Sequence, residues 1–239
     1  MVEKLKCREP KSNHVLEEQV CEYARGVVSK TYGQYCGIAA ALDRVGDRWT
    51  LLVLRELSFG ERRFTDLKAA LPGIATNLLT DRLRALEADG LVEQREIPPP
   101  VSRTVYALSE EGRAVRPVLT ALFRFGERYL DEPSADTRVR PEMAVHGVLA
   151  SRFASAAHEG GDVVVRFDLD GTQLGLAIAG GQLRRPPAGA AADVTVQGSA
   201  AALVRLCRGT ATRRQLSEEL RIEGSAAARR TFLAAFDLR

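Results

Sequence analysis

Between Arg62 and Arg103 the chain spaces polar side chains in a pattern that suits contact with an extended polyanion. Arg62 and Arg63 stand together, and Thr65 and Lys68 follow within one helical turn of each other. Thr76, Asn77, Thr80, Asp81 and Arg84 then recur at helical spacing, and Arg103 lies beyond a run of three prolines. An Asn amide can pair bidentately with adenine, and a Thr methyl can meet the methyl of thymine. Base reading therefore falls to Thr76, Asn77, Thr80 and Arg84, with Asp81 on the same surface. Arg62, Arg63, Lys68 and Arg103, with Thr65 beside them, suit phosphate contacts, which position a protein without reading sequence. The competing reading is a solvated helix face, with Arg82 and Arg84 lying beside Asp81 and Glu87. Taken singly, each arginine fits that blander role.

Overall charge does not decide between them. The net charge is +3 and the pI near 8.8, and Cys36 to Leu130 holds fourteen Lys/Arg against thirteen Asp/Glu. A nucleic-acid partner is permitted, but local clusters must carry it. The 239 residues, 45% apolar, suit one large domain or two ordinary ones. No apolar run approaches the roughly 18 residues of a membrane span, so no membrane partner is expected. Charges crowd the N-terminus where a secretion signal needs an apolar core, which predicts a cytoplasmic protein. Cys7, Cys21, Cys36 and Cys207 include no C-x-x-C pair, so neither a zinc site nor a disulfide framework is indicated. His14, His146 and His158 have no ligand or nucleophile pattern around them and read as surface or packing residues. No cofactor is expected.

The elements that must position these side chains are legible as helices. Residues 1–30 carry a loose stripe of Val15, Leu16, Val20, Tyr23 and Val27, which predicts an N-terminal helix. "CGIAAALDRVGDRW" puts Ile38, Leu42 and Val45 on one face and ends at Gly46. "RWTLLVLRELSFG" sets Trp49, Leu51, Leu52, Leu54 and Leu57 around most of a helix, which predicts the buried centre of its domain. "RRFTDLKAAL" is a short helix with Phe64 and Leu67 inward. After a Pro-Gly turn, "TNLLTDRLRALEADG" faces Leu79, Leu83 and Leu86 to the core and its polar residues outward.

Val92 to Ile97 and Arg103 to Leu108 alternate as two antiparallel strands, with Pro98, Pro99 and Pro100 at the hairpin tip. This order of elements is that of a winged helix-turn-helix. A last helix, capped by Ser109, runs to Tyr129 and is expected to kink at Pro117. Its apolar positions Val115, Val118, Leu119, Leu122, Phe123 and Phe125 exceed what one small domain can cover, which implies a homodimer.

From about Thr31 to Tyr129 the chain resembles the HxlR family of bacterial winged-helix transcription regulators. The matching pieces are "TYGQYCGIAAALDRVGDRWTLLVLREL", "GERRFTDLKAALPGIATNLLTDRLRALEADGLVEQR" and "TVYALSEEGR". The resemblance implies a dimer bound to double-stranded operator DNA, with the recognition helix on Thr76 to Asp89 and the wing on Arg95 to Arg103. This chain departs from its relatives at Ala75, often Ser, and at Asn77, often Lys or Arg. Some relatives use a cysteine at the position of Cys36 to sense electrophiles or oxidants. A helix N-terminus there would favour its thiolate, while a small packing residue is the alternative.

"DEPSADTRVRPE", residues 131–142, is polar and aperiodic and reads as a linker. Beyond it, residues 143–239 open with a helix ("EMAVHGVLASRFASA") and continue as strands joined at Asp170-Gly171 and Gly180-Gly181. "RRPPAGAAAD" is a loop, "ADVTVQGSAAALVRLCRG" a strand leading into a helix, and "LRIEGSAAARRTFLAAF" a turn into the last helix. The expected fold class is α+β: a winged helix-turn-helix with flanking dimerisation helices, then a small α/β domain with a mostly antiparallel sheet. That second domain resembles sterol carrier protein 2-like domains on "DVTVQGSAAALVRLCRG" and "LRIEGSAAARRTFLAAF". The resemblance implies an apolar cavity for a small hydrophobic effector, whereas a second dimerisation domain with a filled core is the bland alternative. Asp168, Asp170 and His158 lack a nucleophile or metal partner, so no enzyme is expected. A transcription regulator answering to an apolar effector is the leading reading. A hydrophobic-ligand carrier whose winged helix serves protein association is the alternative.

Overall fold

The computed structural model describes residues 31–97, 103–133, 138–153 and 161–238. The helix predicted before residue 31, the three prolines of the hairpin tip, and His14, His158, Cys7 and Cys21 lie outside the described residues.

Helix α1 (Gly37–Val45) stops where Gly46 donates its backbone N–H to the Leu42 carbonyl. A Cβ on Gly46 would sit 2.4 Å from that oxygen, which is why a glycine closes this turn. Helix α2 (Thr50–Ser58) buries Val53, Leu54 and Leu57. Leu51 and Leu52 depart from the expectation of an all-round buried helix: they face the second half of the chain across a cleft, and Leu52 is 39% exposed. Helix α3 (Phe64–Ala70) and helix α4 (Thr76–Ala88) meet at the Pro72-Gly73 turn. Leu79, Leu83 and Leu86 of α4 pack against Leu54, Leu57, Leu67 and Ile74 in one core. Gly90 adopts a φ of 71° just past α4, a left-handed turn that glycine takes without strain.

Strands β1 (Val92–Ile97) and β2 (Arg103–Leu108) pair antiparallel, from Val92 opposite Leu108 to Ile97 opposite Arg103. Arg62 and Tyr106 exchange backbone hydrogen bonds of 3.0 and 2.8 Å, tying the start of α3 to the wing. Ser109 caps the next turn: its Oγ accepts from Gly112 N–H at 2.9 Å and donates to the Gly90 carbonyl.

The long final helix divides in two. A 3-10 turn, Glu111–Val115, precedes helix α5 (Arg116–Glu127), and Pro117 lies in the first turn of α5. Pro117 therefore starts a helix rather than kinking one, because the first turn has no partner for the N–H that proline lacks. Val118, Leu122, Phe125 and Tyr129 form an exposed apolar stripe along α5 and just past it.

The second half is a mixed α/β unit. A π-helical segment, Met143–Leu149, buries Ala144, Val145, Val148 and Leu149. Helical backbone already begins at Pro141, so the connecting segment ends at Arg140. Strands β3 (Val163–Leu169), β4 (Thr172–Ala179), β5 (Gln182–Arg184), β6 (Val194–Gly198) and β7 (Leu220–Gly224) form one sheet in the order β5-β4-β3-β6-β7. Only β3 and β6 run parallel, so the sheet is mostly antiparallel. Residues 220–224 are a strand, not the expected turn. The segment carries just two apolar residues among charges and ends in glycine, so only pairing with β6 makes it a strand. Helices α6 (Ala200–Arg208) and α7 (Ala226–Ala235) are capped by Ser199 and Ser225, which accept from Ala202 and Ala228 N–H. Phe167, Phe232 and Phe236 fill the space between sheet and helices, with ring centroids 6.2 and 5.5 Å apart.

Candidate nucleic-acid interface

Helix α4 presents two unlike faces. Leu79, Leu83 and Leu86 are buried, while Thr76, Asn77, Asp81 and Arg84 are exposed on the other side. Ala75 caps the helix with extended backbone and no side-chain acceptor, so the first amides of α4 have no cap. Such amides suit an anion such as a phosphate. The Thr80 hydroxyl donates to the Thr76 carbonyl at 3.0 Å, which leaves its methyl as the group for outside contact.

The basic residues separate by environment. Arg84 is exposed, and so is Arg63, whose backbone N–H donates to Asp66 at 3.1 Å. Thr65 is exposed beside it. Lys68 donates to the Ile74 carbonyl, so its ammonium braces the turn between α3 and α4. Arg82 pairs with Asp47, and Arg95 pairs with Glu93 and with Glu61. Arg62 and Arg103 converge with Arg63 on a recess beside the wing strands, lined also by Ile97 and Val105. Arg63 also has its Nε 4.0 Å from Asp66, and Arg82 and Arg95 are held in surface ion pairs.

Cys36 is the extended residue at the start of α1 and is exposed. Backbone N–H groups of Ala39 and then Ile38 hold its thiol below the usual range. Cys207 is the opposite case, with burial pushing its thiol up to about 12.

The pattern of polar residues gave no notice of three groups that join the halves. Glu56 sits among the apolar residues of α2 with no side-chain exposure and pairs with Arg55 and Arg140. His146, expected to be a surface or packing residue, stacks on Phe59 with centroids 5.5 Å apart. Burial pushes its pKa down to about 4, with Glu142 opposing and Arg62, Arg185 and Arg116 assisting. A carboxylate in the middle of an apolar helix was the available signal for Glu56. Arg140 and His146 had none, because their partners lie far away in sequence.

Residues 44–134 match the HxlR-like helix-turn-helix family. The chain is 39% identical over 104 residues to the HTH-type transcriptional regulator sll1512 of Synechocystis, covering 44% of this chain and 77% of that protein. The chain belongs to the HxlR-like helix-turn-helix family. Two further relatives extend the likeness. YvaP of Bacillus subtilis, an HTH-type transcriptional regulator, is 32% identical over 40% of this chain and 89% of its own length. The HTH-type regulator Rv3095 of Mycobacterium tuberculosis is 41% identical over 40% of this chain and 60% of its own. The HxlR-like match spans α2 to α5 and so contains α4 and the wing, while the second sheet lies beyond it.

Proposed function

We propose that this protein is a dimeric transcription regulator that reads an inverted-repeat operator with α4 and the wing, under control of a small apolar effector. The carrying observation is the exposed Thr76, Asn77 and Arg84 face of α4, backed by three buried leucines and set beside a β-hairpin. At thirteen residues α4 is roughly 20 Å long, and it enters a major groove roughly 12 Å wide. Arg63 and Arg103 flank it as phosphate contacts. Lys68 serves by holding the turn that aims the helix, and Arg62 leans toward Glu142 at 3.9 Å.

The stripe on α5, with Ile38 and Leu42 exposed on α1, supports a two-fold dimer that sets the spacing of two recognition helices. The second half supplies the response. The resemblance of its sequence segments to sterol carrier protein 2-like domains supports an apolar ligand, but its own core is packed with phenylalanine, and the larger cleft lies against the winged helix. A ligand there regulates only if it prefers one DNA-binding state over the other. Mobility shift of the full-length protein on DNA flanking its gene, against random duplex, tests the reading: equal affinity for both would contradict it.

A further inference from the structure

The halves of the chain meet over a cleft with two compartments of different chemistry. The larger, about 950 Å³, is walled by Leu51 and Leu52 of α2, Leu119 and Phe123 of α5, and Leu174 and Leu176 of β4. The smaller, about 350 Å³, carries Arg62, Arg63, Arg103 and Arg185. Phe59, Gly60, His146, Leu174 and Arg185 line both, which makes them neighbours along one cleft.

The acids near the smaller compartment are already engaged. Glu61 receives Arg95 at 2.9 Å, Asp66 accepts the Arg63 N–H, and Glu142 lies 3.9 Å from both Arg62 and Arg140. Arg103 and Arg185 have no ion pair among the described residues, and the Nε atoms of Arg62 and Arg103 are buried without a hydrogen-bond partner. A buried donor left unpaired costs free energy that an anionic acceptor recovers with a strong, charge-assisted bond. His146 lies between the compartments, its pKa lowered first by burial, with Arg62, Arg185 and Arg116 adding to that against Glu142.

We propose that this cleft binds an anionic amphiphile: an apolar chain lying between α2, α5 and β4, with a carboxylate or phosphate head on Arg62, Arg103 and Arg185. Small-molecule pockets run about 300–1,000 Å³, so the larger compartment has room for the chain. This gives the apolar effector a charged head, and it rests on the regulator reading only for its consequence. Arg62, Arg63 and Arg103 border the proposed DNA surface, so the head and the DNA backbone draw on the same cations. Ligand and operator should therefore oppose each other, each weakening the other by the same factor.

Calorimetric titration of the full-length protein without DNA tests the site, using dodecanoate, dodecyl phosphate, dodecanol and inorganic phosphate below micelle-forming concentrations. The expected result is one site per chain that prefers an anionic probe over dodecanol by about tenfold or more, a difference attributable to the head alone. Whichever anion binds tighter identifies the head group. Inorganic phosphate should bind far more weakly than dodecyl phosphate. R103Q/R185Q, changes at a half-buried and an exposed side chain, should bring the anionic probes down to the affinity of dodecanol and leave dodecanol unchanged. Equal binding of dodecanol and the anions by wild-type protein would overturn the proposal without reliance on any variant. So would no binding of any chain probe, inorganic phosphate binding as tightly as dodecyl phosphate, or indifference to R103Q/R185Q. Duplex binding is scored separately on ligand-free protein, so loss of the amphiphile site with intact operator binding rejects the cleft and not the regulator.

Discussion

Arg140 holds both carboxylate oxygens of Glu56, with Nη1 3.0 Å from Oε1 and Nη2 2.9 Å from Oε2. Glu56 is wholly buried in α2, and Arg140 ends the segment that joins the two halves. Burial raises the Glu56 carboxyl, but hydrogen bonds from Arg140 and charge from Arg55 outweigh it, so it stays below the usual carboxylate range. Arg140 also reaches the Ala70 carbonyl at 3.4 Å, at the end of α3. The end of the connection at Arg140 is therefore clamped onto the helices that aim α4.

Loss of that clamp should be measurable as stability. Arg140→Ala leaves Glu56 with Arg55, so the expected cost is that of charged hydrogen bonds, about 1–3 kcal/mol. Urea unfolding at neutral pH reads it. A carboxyl depressed by folding contributes stability above its unfolded pKa and loses it as pH falls through the folded value. The deficit of Arg140→Ala should therefore shrink in acid. A deficit that is constant with pH would mean that the pair contributes packing rather than charge.

Asn77→Ala should cost about 1–3 kcal/mol of discrimination between operator and random duplex, the scale of one base contact. Arg63→Ala should weaken both duplexes alike and flatten the salt dependence, as a phosphate contact does. Competition titrations at two salt concentrations separate these outcomes. Equal losses on both duplexes for Asn77→Ala would remove it from base reading.

His146 should give the fold a specific acid sensitivity. Folding lowers its pKa to about 4, whereas the unfolded imidazole titrates near 6.5. Between those values the unfolded chain binds a proton that the folded one excludes, so stability falls as pH drops from about 6.5 toward 4, by at most ~1.4 kcal/mol per unit. Glu142 opposes this, and Arg62, Arg185 and Arg116 reinforce it. His146→Phe, which keeps a ring against Phe59, should remove that part of the slope. An unchanged slope in thermal melts across this range would assign it to other groups.

The two described cysteines should differ sharply as nucleophiles. Cys36 is exposed with a lowered thiol pKa, whereas Cys207 is buried with a raised one. Brief iodoacetamide treatment of native protein, read by peptide mass spectrometry, should label Cys36 and spare Cys207 until denaturant is added. Comparable labelling of Cys207 in native protein would contradict the packing of α6.

Much of the winged helix was legible because its signals are local. Leu79, Leu83 and Leu86 mark one helical face, and the alternation around the prolines marks β1 and β2 to the residue. Ser109 carried its cap in its type and position. What was illegible depends on distant partners. Leu51 and Leu52 read as core because a periodicity cannot say that one flank faces a cleft. Leu220 to Gly224 reads as a turn until β6 supplies its hydrogen bonds. The separation of Arg82 and Arg95 from Arg84 rests on Asp47 and Glu61, which only the fold brings near.

The central claim is that two copies of this chain place two α4 helices in successive major grooves of one duplex. Hydroxyl-radical footprinting of the full-length protein on the DNA flanking its own gene tests it most directly. The account predicts two symmetric protected patches about an inverted repeat, with centres separated by one helical turn of roughly 34–36 Å, or a multiple of it. Protection at that repeat should persist in excess random duplex. A single unsymmetric patch, or protection that random duplex abolishes at equal concentration, would contradict it.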